Sequence, residues 1–478
     1  MSKNATRAYV PDMVLSEIED VVGGENLTTR DVDRLAYAVD QYWIPRVWVD
    51  RGQWPAAPDV IVRPGNIDEV SAVLKIANGY RIPVTVWGGG SGSQGAALAI
   101  CGGVILDTKR MNKLLEINPA AMTVTAQTGI IQQHLEWMLN AKGFSTMHYP
   151  ASIACATLGG FLAHRGSGVL STKYGKIEDM VVSLQVVLPN GDVIRTLPVP
   201  RHAAGPDLTQ VFVGSEGVLG VITEATLKIH RLPETMRFRA FIFKDLHSGL
   251  EAGRRIMVER LRPSVIRLYD EPETKSQVKR VLGIEKDGCY LVYGFDGARE
   301  LVDFEERAAR AICLEEANED LGAEPGEKWW EHRYDFYYPP HAYNLPRMFG
   351  TMDTVATYDK IEDIYWAMKS AIERVYPRAK FIAHFSHWYE WGCMCYDRFI
   401  VDDPPADPHE ALRLHNALWN AGVRAAIAHG GVINEHHGVG LKLGRLMREQ
   451  YGQAFQVLKG IKQALDPNNI MNPGKMGL

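Results

Sequence analysis

The run Trp87-Gly88-Gly89-Gly90-Ser91-Gly92-Ser93-Gln94-Gly95 constrains this chain more than any other stretch. It is nearly devoid of side chains and follows Pro83 to Val86, which reads as a short strand. Successive glycines let backbone amides turn inward together, forming a nest of N–H donors of the kind that holds the pyrophosphate of a dinucleotide. Residues 90–95 satisfy GxGxxG. A Rossmann fingerprint must also open a helix and lead to an acidic residue about 20 positions on. Here the loop runs through Ala96 to Ala99 and Cys101-Gly102-Gly103 into a second strand-like stretch, Val104 to Asp107. The expectation is therefore a dinucleotide cradle that is not of the Rossmann type.

Two more glycine clusters follow. Pro150-Ala151-Ser152 leads to Thr157-Leu158-Gly159-Gly160-Phe161, then Arg165-Gly166-Ser167-Gly168 and Lys173-Tyr174-Gly175. The third is Val213-Gly214-Ser215-Glu216-Gly217-Val218-Leu219-Gly220-Val221-Ile222-Thr223. Between them, Val181 to Thr196 is an apolar strand pattern reversed at Pro189-Asn190-Gly191-Asp192, a hairpin signal. One cluster alone would read as an ordinary glycine turn. All three, in this order and spacing, resemble the FAD-binding domain of the vanillyl-alcohol oxidase and p-cresol methylhydroxylase superfamily. Glu435-His436-His437-Gly438-Val439-Gly440 and Leu465 to Lys475, which contains Asn472, look like that superfamily's closing motifs, so the resemblance spans nearly the whole chain.

The resemblance implies FAD, held by residues of the three clusters and by Asn472. Ser91 stands where several relatives carry a histidine bonded covalently to the flavin. Noncovalent FAD is therefore expected, unless His436 or His437 supplies the bond. The implied fold class is α+β. A PCMH-type FAD-binding domain of two α/β subdomains is expected over 1–232, and a cap or substrate domain with an antiparallel sheet flanked by helices over 233–425. A segment returning to the FAD domain is expected over 426–478. The residues agree locally: Asp59 to Pro64 reads as a strand, and Asp68 to Tyr80 places Val70, Val73, Leu74 and Ala77 on one helical face. After Pro233 the glycine clusters cease and strands alternate with helices such as Leu301 to Leu321. Asp402 to Pro408 reads as a loop and His409 to Ala421 as a helix.

Composition narrows the function. An apolar fraction of 46% and a charged fraction of 23% are ordinary for a soluble globular protein. A net charge of −5 without a Lys/Arg run argues against nucleic acid. Residues 1–7 contain no apolar leader and no stretch approaches membrane-spanning length, so a cytoplasmic protein is expected. The six cysteines have neither zinc nor ferredoxin spacing and read as reduced core thiols, which argues against a built-in iron–sulfur relay. The electron acceptor is then oxygen or a separate redox partner, and a homodimer is allowed for.

Three constellations carry candidate chemistry. The first is Trp329 to Tyr338, where the Arg333 guanidinium offers a planar fork to an anion between drying aromatic walls. Trp330 and Arg333 are similar to a substrate-anchoring Trp-x-x-Arg of 2-hydroxyacid dehydrogenases in this superfamily; the alternative is an aromatic interdomain core with a surface arginine. The second joins His384 to Tyr389 and Cys393 to Phe399 with Glu435 to Gly438, and most resembles the alkyldihydroxyacetonephosphate synthase and glycolate/D-lactate dehydrogenase branch. Hydride leaves a carbon only as its hydroxyl loses a proton, so a base of near-neutral pKa is needed. His387, His436 and His437 are the candidates, each alternatively a hydrogen-bonded core histidine, with Tyr396 as phenolic partner. In the phenol-oxidising branch tyrosines and an arginine stabilise a phenolate, a part open to Tyr396 with Arg398. Arg267 matches a motif arginine of the ether-lipid synthases, but His384 stands where their second phosphate-binding arginine is expected. The third is a metal on His384, His387 and Glu435, as in some 2-hydroxyacid dehydrogenases. Those enzymes space the histidines more widely, and on a regular strand positions 384 and 387 face opposite ways. No metal is expected.

These features indicate an FAD-dependent oxidoreductase taking a hydride from the alcohol carbon of a 2-hydroxy acid or an aromatic alcohol or phenol. The aromatic density over 329–343 favours a bulky substrate. The alternatives are a flavin-dependent alkyl transferase and a non-catalytic flavin-binding protein.

Overall fold

The computed structural model describes residues 9–338 and 344–478; the leader region 1–7 and the 339–343 end of the aromatic stretch lie outside the described residues. A four-stranded sheet runs in the order Leu27–Thr28, Val60–Val62, Val104–Asp107, Val84–Trp87, its last three strands parallel. Alternate residues of these strands enter different cores. Val60, Val62, Val104 and Leu106 pack with Val70, Val73, Leu74 and Ala77 of the helix Ile67–Tyr80, while Ile61 and Ile105 pack with Trp87 on the other face. Burial on both faces explains why these strands are continuously apolar. Asn66 caps the helix by accepting from Glu69 N–H at 2.9 Å.

The second sheet is antiparallel, in the order Leu114–Asn118, Thr123–Gln127, Val221–Lys228, Val181–Val187, Val193–Arg195. Val221–Lys228 alternates buried and half-buried residues with period two. The hairpin at 188–192 turns on Gly191, at φ +84°.

The third sheet has seven antiparallel strands: Ala317–Gly322, Thr235–Phe243, Cys289–Gly297, Val265–Tyr269, Lys380–Trp388, Gly392–Val401, Met348–Thr357. One face is covered by the helices Leu246–Val258, Arg299–Glu316, Tyr358–Val375 and Pro408–Ala428, whose Ile256, Val302, Ile364 and Leu418 share a core with Phe241, Leu291, Phe385 and Cys395. Alternate residues of the central strands point the other way, and among them Arg267, His384, Ser386, Tyr396 and Arg398 line a cavity. Period-two geometry thus makes one sheet both a helix-packed core and one wall of a site.

The helix read as Leu301 to Leu321 ends at Glu316. Residues 317–322 instead form the edge strand against Thr235–Phe243, where Asp320 pairs with Arg239 at 3.1 Å and Arg310 at 2.9 Å. The helix expected at 409–421 extends to Ala428, across position 425. Near its end the chain returns to the first sheet: Val84 N–H donates to Ile470 O at 2.7 Å, and Asn472 N–H to Val84 O at 2.7 Å. Five cysteines are buried thiols, but Cys155 is exposed in a loop, which corrects the reading of all six as core residues. Among the described residues no helix is long and apolar enough to cross a membrane.

The first and second glycine clusters touch backbone to backbone. A Cβ on Gly89 would lie 2.2 Å from Cys155 O and 2.9 Å from Ala156 Cα. Gly89→Ala is expected to lower stability by about 1–3 kcal/mol, seen as a lower urea midpoint at unchanged m-value.

Candidate functional site

Between the glycine clusters and the polar face of the seven-stranded sheet lies a cavity of about 550 Å³. Residues 88–93, 150, 152, 159, 160, 166, 168, 216, 217, 220 and 222 line one side. Arg267, His384, His387, Tyr396 and Arg398 line the other, joined by His436 and His437.

Several residues singled out from sequence lie elsewhere. Gln94, Tyr174, Gly175, Val221 and Asn472 do not line the cavity. The Asn472 amide donates to Ala96 O at 2.9 Å and Glu216 O at 2.7 Å, so it fastens the returning chain. The Tyr174 hydroxyl donates to Asp296 at 2.9 Å. Trp330 and Arg333 are also outside: the guanidinium stacks on Trp330 at 3.9 Å and Tyr334 at 4.6 Å, and Trp330 stacks on Phe238 at 5.2 Å. That segment reaches the cavity through Phe336, Tyr337 and Tyr338 instead.

His384 and His387 line the same cavity because their strand is not regular. His387 has φ +52°, and the pairing with Gly392–Val401 shifts between Ser386 and Trp388. This bulge inserts one residue, so His387 joins the face of His384 and Ser386 while Trp388 stays in the helix-covered core.

Three buried carboxylates organise the polar wall. Glu435 Oε2 accepts from His436 Nδ1 at 2.8 Å and His387 Nδ1 at 3.1 Å, with Ser167 Oγ at 3.5 Å. Its Oε1 takes Tyr389 OH and lies 3.3 Å from Lys176 Nζ. Asp353 accepts from the backbone N–H of Glu435 at 3.0 Å and of His436 at 2.9 Å, and pairs with His436 Nδ1 at 3.2 Å and His437 Nδ1 at 2.9 Å. Glu273 ion-pairs with Arg398 and lies 3.2 Å from His384 Nδ1. Arg267 has a different neighbourhood. Its Nη1 donates to Tyr337 OH at 2.7 Å, and it makes no ion pair with a carboxylate among the described residues.

These surroundings separate the histidines electrostatically. Burial alone disfavours the imidazolium, but at His436 the flanking Asp353 and Glu435 outweigh it and push the pKa up to about 9. At His387 burial prevails over Glu435 and the pKa falls below the ordinary value. His437 falls too, by burial and the adjacent His436 charge against Asp353. Burial brings His384 down to about 4 despite Glu273. At neutral pH His436 is therefore a cation, while His387 and His437 are neutral, with Nδ1 engaged by a carboxylate and Nε2 left as the second ring nitrogen.

Among the described residues, potential metal-ligating atoms converge in two groups, each within 4.8 Å: His387, Glu435 and His436, and Asp353, His436 and His437. His384 belongs to neither, because it faces Glu273. Asp353, Glu273 and Lys176 escaped the sequence reading, since each is joined to its partners only by the fold.

Residues 58–197 match the FAD binding domain, and residues 232–476 match the C-terminal domain of FAD linked oxidases. The chain belongs to the FAD-linked oxidase family. It is 31% identical over 482 residues, 96% of this chain and 97% of the other, to the uncharacterized FAD-linked oxidoreductase YgcU of Escherichia coli K12. It is 31% identical to the alkyldihydroxyacetonephosphate synthase of Dictyostelium discoideum, over 89% of this chain and 74% of that one. To the mitochondrial D-lactate dehydrogenase [cytochrome] of Arabidopsis thaliana it is 29% identical, over 98% and 80%. The crystal structure of p-cresol methylhydroxylase with substrate bound shares the fold, with a TM-score of 0.80 at 18% identity over 99% of this chain and 98% of that one.

The cofactor is FAD, and the cavity suits it. One wall is almost bare backbone. His164 Nε2, Ser386 Oγ and Arg398 Nε are buried on its lining without hydrogen-bond partners within the protein, as polar atoms awaiting a ligand would be.

The raised His436 pKa has a stability consequence. Its folded value lies above the unfolded one, so the stabilisation it contributes is complete below about pH 6.5 and is lost as pH rises through about 9. The loss of unfolding free energy caused by His436→Gln, measured by urea titration, should be larger at pH 6 than at pH 10.

Proposed function

We propose that this protein oxidises the alcohol carbon of a 2-hydroxy acid carrying a bulky, preferably aromatic, side group. The observation that carries this reading is Arg267: a buried guanidinium on the cavity wall with no carboxylate partner among the described residues, whereas Arg398 is neutralised by Glu273. Uncompensated positive charge in a dry site calls for an anionic ligand, and a planar fork suits a carboxylate. With one free guanidinium, a monoanion is balanced better than a phosphate dianion. This favours hydroxy-acid oxidation over the alkyl transfer of the synthase relative, and accords with the relative named as a D-lactate dehydrogenase.

Bound FAD supplies the hydride acceptor. His387 supplies the base. Arg267 and His387 line the same wall of the cavity, so a substrate anchored there by its carboxylate has a neutral imidazole available to its hydroxyl. With Nδ1–H donated to Glu435, Nε2 accepts the hydroxyl proton, and Glu435 stabilises the imidazolium that forms. His436, already a cation held between Asp353 and Glu435, cannot take that proton near pH 7. Phe336, Tyr337, Phe349, Met394 and Tyr396 exclude water and leave an aromatic-lined space for the side group.

Anaerobic mixing with a panel of 2-hydroxy acids and their neutral alcohol analogues should bleach the flavin only with the acids. Arg267→Ala should raise KM about 10- to 100-fold, as loss of a charge-assisted pair implies, while FAD content holds. His387→Asn should slow flavin reduction by roughly 100-fold or more. Equal bleaching by the neutral alcohols, or unchanged kinetics in Arg267→Ala, would remove the basis of this reading.

FAD attachment is proposed to be noncovalent, since Ser91 offers no imidazole at the loop. Acid precipitation should leave the flavin in the supernatant; fluorescence retained by the denatured chain would show a covalent bond.

A further inference from the structure

The geometry points to Lys176 as the group that occupies, in charge, the place of a divalent cation in the His387, Glu435 and His436 cluster, and that keeps metal out of it. The cluster has the makings of a metal site: three ligand atoms within 4.8 Å, two imidazoles and a carboxylate, opening on a cavity that would admit a substrate oxygen as a further ligand. Its donor set is nevertheless committed to another cation.

Lys176 is buried, with its Nζ 3.3 Å from Glu435 Oε1, bonded to Glu435 O and paired with Glu178 Oε1 at 2.9 Å. Its position is fixed locally, because its backbone N–H donates to Asp179 Oδ2 at 2.9 Å at the start of the helix Ile177–Met180. If the ammonium swung aside it would give up its pairs with Glu435 and Glu178 and its bond to the Glu435 carbonyl while still buried. Tyr389 OH also donates to Glu435 Oε1, and both imidazoles point Nδ1 at Oε2. A metal at this carboxylate would have to displace those donors and stand a few ångströms from a fixed ammonium in a water-poor site, where like-charge repulsion is strong.

The arrangement has a chemical meaning. Lys176 and Tyr389 occupy Glu435 Oε1, which leaves Oε2 as the acceptor for His387 Nδ1–H. Lys176 is thus a positioning residue acting through Glu435. The inference concerns the resting holoenzyme and stands apart from the identity of the substrate.

Zinc content and affinity test it directly. Holoenzyme and the Lys176→Met and Lys176→Arg variants, each with full FAD by absorbance, are equilibrated with zinc chloride, desalted and analysed for bound zinc, with Kd from titration. Wild type and Lys176→Arg should retain no stoichiometric zinc. Lys176→Met should retain one zinc per chain, bound about 100-fold more tightly than by wild type, on the scale by which outer groups tune metal sites. Adding Glu435→Gln to Lys176→Met should abolish that zinc. If Lys176→Met fails to hold FAD, Lys176→Gln is measured in its place. The inference is overturned if wild type carries one zinc that Glu435→Gln removes, or if the FAD-loaded Met or Gln variant gains none.

Discussion

The histidine-bearing part of the polar wall hangs on the burial of two of its three carboxylates, Asp353 and Glu435. Charge withdrawn from water is tolerated only when its acceptor sites are filled, and filling them dictates where surrounding elements lie. Asp353, on the strand Met348–Thr357, draws in the backbone of Glu435 and His436 and the rings of His436 and His437, so a glycine-rich turn becomes a rigid double-histidine platform. Glu435 then reaches further. Its donors come from Ser167 and Lys176 in the glycine-cluster half, from His387 on the seven-stranded sheet and from Tyr389 in the turn that follows that strand. One carboxylate thereby ties together the two halves that enclose the cavity.

The same pair of anions divides the histidines by role. His436 contacts both and stays charged; His387 and His437 contact one each and stay neutral. Similar side chains a few ångströms apart acquire opposite protonation states from their neighbours alone. Such divergence of environments is how one site holds a base and a fixed cation at one pH.

Much of this architecture was legible in the chain. Val60-Ile61-Val62 has the unbroken apolar pattern of a strand buried on both faces, Asn190-Gly191 marks the hairpin after Val181–Val187, and three glycine clusters announce a backbone-lined ligand wall. What escaped depended on contacts between distant segments. Nothing local distinguishes Asp353, whose partners lie more than 80 residues away. His387 was read on a regular strand, where it would face away from His384; the left-handed bulge that turns it inward has no glycine or proline to signal it. Arg333 looked like an anchor because arginine among aromatics suits an anion, but the same attraction lets the guanidinium stack on its own neighbours, Trp330 and Tyr334. Residues 317–322 continued a helical pattern yet became a strand, because an edge of the large sheet was there to pair with.

The return of Ile470 to Asn472 onto the strand Val84–Trp87 bears on how the molecule comes into being. That strand is the edge of the parallel sheet, it leads directly into the first glycine cluster, and its outer backbone is completed only by residues made nearly 400 positions later. During synthesis the amino-terminal half emerges long before its last pairing partner does. The backbone leading into the glycine wall is therefore completed by contacts of very long sequence separation, whose loop-closure cost puts them late in the order of folding events.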